Sequence, residues 1–120
     1  MADILLIDDD ALILELLIAL LEDAGHKPRT ASDGEAGLAE AIRQPPALVI
    51  LDMNMPKLDG YSLAKKLREN PATRGAKLLA LTSHAQSSQY DDAYAAGCDG
   101  FIAKPVDAAR LYEKVKALLG

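Results

Sequence analysis

Asp8, Asp9, Asp52, Thr82 and Lys104 are the residues of this chain whose types and positions could do chemistry together. Each follows a short apolar run: Ile4 to Ile7 leads into Asp8-Asp9, Leu48 to Leu51 into Asp52, Leu78 to Leu81 into Thr82, and Phe101 to Ala103 into Lys104. Short apolar runs bounded by polar residues read as strands buried on both faces. In an open parallel sheet the carboxyl ends of the strands lie along one edge, where ligands bind. The spacing therefore predicts one pocket with three carboxylates, a hydroxyl and an ammonium. Neighbouring carboxylates repel one another and call for a cation. A lysine and a hydroxyl beside a hard cation suit a phosphoryl group.

Positioning these residues requires strands and helices in alternation. The pattern predicts strands over Ala2–Ile7, Lys27–Ala31, Ala47–Leu51, Lys77–Leu81 and Gly100–Ala103. The second of these has poor periodicity. Helices are predicted over Ala11–Ala24, from a Ser32 or Asp33 cap to Arg43, over Gly60–Asn70, over Ser87–Ala96 and over Ala108–Leu119. Asp10 is placed to cap the first helix, and Gly25 and Gly97 to end the first and fourth. Pro45-Pro46 and Pro71 interrupt any continuation. Five such units imply an α/β fold, a parallel sheet doubly wound with helices on both faces.

Composition narrows the class. A length of 120 residues suits one domain over residues 1–120, and an apolar half supports a real core. Net charge is −5 with no basic cluster, so nucleic-acid binding by this chain alone is not expected. Cys98 is the single cysteine, which rules out an internal disulfide and reads as a small buried residue. The start of the chain is acidic and too short in its apolar run for a signal peptide. The greasiest stretch, Ala11 to Leu21, contains Glu15 and falls short of the ~20 residues of a membrane span. A cytoplasmic protein with no membrane contact is the expectation.

Asp52 is followed by Met53-Asn54-Met55-Pro56-Lys57-Leu58-Asp59-Gly60. With Asp8-Asp9, Thr82 and Lys104-Pro105, this segment resembles the response-regulator receiver domain, the family of the chemotaxis response regulator. Separations of 30 residues from Asp52 to Thr82 and 22 from Thr82 to Lys104 match as well. The resemblance covers essentially the whole chain and implies the flavodoxin-like strand order 2-1-3-4-5. It also implies a phosphorylation-activated switch of a two-component system or phosphorelay. Asp52 would take a phosphoryl group from a histidine kinase or histidine phosphotransfer protein. An aspartate is ionised at neutral pH, and its attack passes through a loose transition state with charge on the transferring oxygens. Mg2+, with Mn2+ also suited, would be held by Asp9 directly, by Asp8 through water, by Asp52 and by the backbone carbonyl of Asn54. Lys104 and Thr82 would contact the phosphoryl group, and the Lys104–Pro105 bond is usually cis in the family. Thr82 and Phe101 would form the switch, beside a small Ser83. Asn54 and His84 would modulate dephosphorylation. His26 has no partner pattern.

Two further expectations concern surfaces. On the first helix, Ile13, Leu16, Leu17, Leu20 and Ala24 form the predicted core face. Leu14 and Ile18 lie on its flank, where related receivers meet the helical bundle carrying the donor histidine. They read as a docking stripe or as stray surface aliphatics. The fourth helix is poor in aliphatics, with Tyr90, Ala93 and Tyr94 as its inner stripe. Helix four, strand five and helix five are therefore expected to form the surface that changes and meets a downstream protein. Two rivals are weaker. A scaffold acting without phosphorylation would usually lack the acceptor, threonine or lysine, and all are present. An aspartyl-nucleophile phosphatase would need an acid two residues after Asp52, where Asn54 stands.

Overall fold

Five strands, β1 (Asp3–Ile7), β2 (Lys27–Ala31), β3 (Leu48–Asp52), β4 (Lys77–Thr82) and β5 (Gly100–Ala103), form one sheet in the computed structural model of the chain. The structure describes residues 2–55, 58–82 and 92–120. Strand order is β2-β1-β3-β4-β5 and every pairing is parallel, as the resemblance implied. The weakly patterned second strand is real. It sits at the sheet edge, where a proline such as Pro28 is tolerated and burial is incomplete.

Alternation along each strand splits the core in two. Ile4, Leu6, Leu48, Ile50, Leu79, Leu81 and Ile102 face one side, against Leu17 and Leu21 of α1 (Ala11–Asp23) and Leu111 and Val115 of the C-terminal helix (Ala108–Leu119). Leu5, Ile7, Val49, Leu51, Leu78 and Ala80 face the other, against Ala41 of α2 (Gly34–Arg43), Leu63 and Leu67 of α3 (Gly60–Glu69), and Ala93, Ala96 and Cys98. Burial pushes the Cys98 thiol up to about 11, which suits a core residue. These four helices begin at an aspartate cap: Asp10 accepts from the Leu12 N–H, Asp33 from Ala36, Asp59 from Ser62 and Asp107 from Ala109. Gly25 and Gly97 adopt the left-handed backbone expected of helix terminators. No described helix is long and apolar enough to cross a membrane.

The first helix departs from expectation. Leu17 and Leu21 are fully buried, while Ile13, Leu14, Ile18 and Leu20 are half-buried against the same core. Leu14 and Ile18 are therefore packing residues and do not form a free stripe. The exposed leucines of this helix are Leu12, at 75%, and Leu16, at 41%, a position the periodicity places on the core face; Ala24 is also exposed. The helix is apolar almost all round, so periodicity alone could not fix its rotation. Contact with Ile4, Leu6 and Leu48 did. The first half of the expected fourth helix, residues 87–91, and Tyr90 with it, lies outside the described residues. Of its predicted inner stripe, Ala93 is buried but Tyr94 is 48% exposed.

Candidate functional site

The four strand ends converge as the spacing required. β3 ends on Asp52 and β4 on Thr82, each buried to within a few percent. Asp8 follows β1, also buried, and its backbone N–H donates to Ala31 of β2. Lys104 follows β5, tied to β4 by a 2.7 Å bond from its N–H to the Thr82 carbonyl. The next peptide bond, Lys104–Pro105, is cis. Asp9 is exposed beside these groups at the mouth of the site.

Lys104 Nζ lies 3.2 Å from Asp8 Oδ2 and 3.4 Å from Asp52 Oδ2, so one ammonium is shared by two buried carboxylates. The other oxygens are held by local backbone: Asp8 Oδ1 accepts from the Asp10 N–H at 2.9 Å, and Asp52 Oδ1 from the Asn54 N–H at 3.1 Å. Burial holds the Asp8 carboxyl above its usual range. The Asp10 N–H opposes that, Asp52 adds to it, and Lys104 offsets part. Burial would lower Lys104, but Asp52 and Asp8 outweigh it and hold the ammonium above the ordinary lysine value. One oxygen from each of Asp8, Asp9 and Asp52 lies within 4.8 Å of the others. Among the described residues, three carboxylates against one ammonium leave net negative charge, and hard oxygen donors at this spacing fit a divalent cation such as Mg2+.

Other expected residues lie around this core. Asn54 is exposed next to Asp52. Phe101 is half-buried, its ring edge-on to Tyr94 at 5.6 Å with Lys114 Nζ 5.9 Å from its centroid. His84 and Ser83 lie outside the described residues. One contributor entered the sequence reading only as part of the matching segment, with no role assigned: Gly60, the first residue of α3. A Cβ there would come within 2.6 Å of the Asp52 carbonyl oxygen and 2.5 Å of Met53 Cα. Its N–H also bonds the Met53 carbonyl at 3.3 Å. The signal available was a glycine directly after a capping aspartate.

The model of the response regulator receiver domain matches residues 4–116. The chain belongs to that family. Receiver domains are phosphorylation-activated switches of two-component response regulators: phosphoacceptors, served by histidine kinases or phosphotransfer proteins. Among relatives of this receiver, the DNA-binding dual master transcriptional regulator RpaA of Synechocystis is 36% identical over 119 residues, covering 99% of this chain and 49% of that protein. The receiver thus spans about half the length of that curated relative. The chemotaxis protein CheY4 of Vibrio cholerae superposes with a TM-score of 0.94 at 29% identity, covering 99% of both chains. The receiver domain of the sensor histidine kinase PA1611 of Pseudomonas aeruginosa superposes at 0.92 with 28% identity, covering 99% of this chain and 98% of that one. That structure carries a magnesium ion coordinated in its active-site cleft.

Proposed function

We propose that residues 1–120 act as one receiver domain in which Asp52 is the phosphoacceptor. The observation that carries this is the sharing of Lys104 between Asp52 and Asp8 inside a three-carboxylate cluster at the sheet edge. Asp52 Oδ2 faces the ammonium, so a phosphoryl group arriving there meets a point charge already in place. Thr82, at the end of the neighbouring strand, supplies the hydroxyl. Asp9, Asp8, Asp52 and the Asn54 carbonyl would hold Mg2+, or Mn2+ in its place. When bound, the metal would offset charge on the transferring oxygens. Asn54 and His84 would set how fast water removes the group. The protein would act in the cytoplasm, without nucleic-acid or membrane contact of its own.

Partner surfaces follow from exposure. Leu12 and Leu16 stand one turn apart on α1, beside Asp9 and Asp10, and take the docking role in place of Leu14 and Ile18, which are half-buried against the core. They would meet the histidine-bearing donor. Phe101 and Tyr94, with Lys114, form an aromatic patch for a downstream protein on helix four, strand five and the C-terminal helix. Thr82 and Phe101 would couple that patch to the site. Incubation with acetyl phosphate and Mg2+, read by intact-mass spectrometry, tests the assignment. One phosphoryl group is expected on the wild type and none on Asp52→Asn. Equal labelling of the two would end it.

A further inference from the structure

We propose that Gly34, on a helix that contributes no residue to the site, is a positioning residue for the phosphoacceptor and the metal. A Cβ on Gly34 would lie 2.3 Å from the Leu58 carbonyl oxygen, 2.9 Å from Leu58 Cβ and 3.2 Å from Leu58 C. Two of these atoms are backbone, so no rotamer change relieves the contact. The first residue of α2 is therefore pressed directly onto the chain two residues ahead of α3. Asp59 follows Leu58 and caps α3 through the Ser62 N–H at 2.8 Å. Gly60 follows Asp59, and it is this residue that is pressed onto the Asp52 carbonyl and Met53 Cα.

The two close approaches form one mechanical chain: α2 at Gly34, Leu58, Asp59, Gly60, then the Asp52–Met53 peptide. Packed backbone transmits displacement because the interior has no free volume to absorb it. The Asp52–Met53 peptide carries the acceptor at one end and leads to the Asn54 carbonyl at the other. Holding it fixes both with respect to Asp8 and Lys104. Groups that only orient ligands typically change metal affinity by about 10- to 100-fold when altered. Gly37 provides an internal control. It sits one turn further along α2, and a Cβ there would meet the side chain of Ile7, at 2.5 Å from Cδ1, with no backbone atom among its nearest contacts.

This inference rests on the assignment of Asp52 and the Asn54 carbonyl made above. The test is isothermal titration calorimetry of MgCl2 into wild type, Gly34→Ala, Gly37→Ala and Leu58→Gly, with acetyl phosphate labelling followed across the same Mg2+ range. Gly34→Ala should weaken Mg2+ binding about tenfold. Its labelling should be slow at low Mg2+ and recover much of the wild-type rate at saturation. Gly37→Ala should lower the melting temperature but keep wild-type Mg2+ affinity. Leu58→Gly loosens the same segment from the other side and should also weaken Mg2+ binding; it carries the test if Gly34→Ala does not fold. Wild-type Mg2+ affinity in folded Gly34→Ala, or in Leu58→Gly where Gly34→Ala does not fold, would overturn the inference, as would equal weakening in Gly37→Ala. Neither result touches the acceptor assignment, which fails only if Asp52→Asn still labels.

Discussion

The two edges of the sheet handle charge in opposite ways. Toward the amino edge Asp3, Glu40 and Asp99 are each paired with a cation in partly exposed networks. Arg29 grips Asp3 with two bonds, of 2.8 and 2.9 Å, and reaches Glu40 at 2.7 Å, while Arg43 takes the rest of Glu40. Arg68 donates to the Gly97, Arg74 and Ala76 carbonyls and to Asp99, whose same oxygen also accepts from the Leu78 N–H at 2.8 Å. At the carboxyl edge Asp8 and Asp52 share one lysine, and Asp9 adds a third carboxylate beside them. β1 joins the two edges, with Asp3 at its start and Asp8 just past its end, about 16 Å apart at roughly 3.3 Å per residue. Satisfied charge stabilises the fold; unsatisfied like charge is held in reserve for a ligand. The amino edge secures α3, β4 and β5, and that is what allows the other edge to keep repelling groups together.

Breaking the amino edge should have the largest effect on stability. Arg68→Met removes all four bonds and leaves Asp99 without its cation. A loss of about 2–3 kcal/mol is expected, since the guanidinium is partly exposed and each bond contributes about 1 kcal/mol. Urea melts measure it. The free energy that saturating Mg2+ adds should be the same as in wild type. A variant equal in stability to wild type would mean the network is ornamental.

Lys104→Met attacks the other edge by removing the ammonium that Asp8 and Asp52 share. Asp8 and Asp52 then lose the counter-charge they share, and the metal-free protein should lose about 1–2 kcal/mol. The pocket becomes more negative, so Mg2+ should bind more tightly while labelling by acetyl phosphate falls. Titration calorimetry reads the first and mass spectrometry the second. Weaker Mg2+ binding in this variant would contradict the view that the Lys104 charge opposes the cation in the pocket.

The sequence and the structure agree where local signals and topology coincide. Asp8, Asp52, Thr82 and Lys104 were legible because each closes an apolar run, and a parallel sheet brings such ends together. β2 was visible only through its neighbours, since an edge strand with Pro28 has no clean alternation. The rotation of α1 was not legible, because Leu12 and Leu16 are as apolar as Leu17 and Leu21 and only packing tells them apart. The Arg68 hub was hidden for a different reason: its partners lie 6 to 31 residues away and three of the four are backbone carbonyls, which carry no residue code. Gly34 and Gly60 act through an absent side chain, and absence leaves no periodic mark.

A gentler perturbation of the carboxyl edge is Asp9→Ala. Asp9 is exposed, so little packing is lost, and one like charge is removed from beside Asp8 and Asp52. The metal-free melting temperature should rise by a few degrees. Mg2+ should add less than the ~2.7 kcal/mol that a ligand at 100 times its dissociation constant gives the wild type. Thermal melts with and without Mg2+ show both. Wild-type Mg2+ stabilisation in this variant would remove Asp9 from the ligand set.

The smallest expected effect is a pH dependence specific to Asp8. Its carboxyl is held above the ordinary value of 3.8, chiefly by burial. A group whose folded pKa is raised binds its proton more tightly in the native state, so its contribution to stability is full below the unfolded pKa. That contribution is lost as pH rises through the folded pKa. Asp8→Asn keeps the oxygen that accepts from the Asp10 N–H but never ionises. Without metal, the variant should therefore gain on wild type as pH climbs from 3.8 through the raised value, then level off. Other titrating groups not coupled to Asp8 largely cancel in the difference between the two proteins. With Mg2+ the trend should reverse, because a cation favours the ionised carboxylate that only wild type can offer. Urea melts of both proteins at several pH values, with and without Mg2+, measure the two trends. A metal-free difference that shrinks with rising pH would show that Lys104 and the Asp10 N–H, not burial, govern this carboxyl. The carboxyl edge would then be as well compensated as the amino edge.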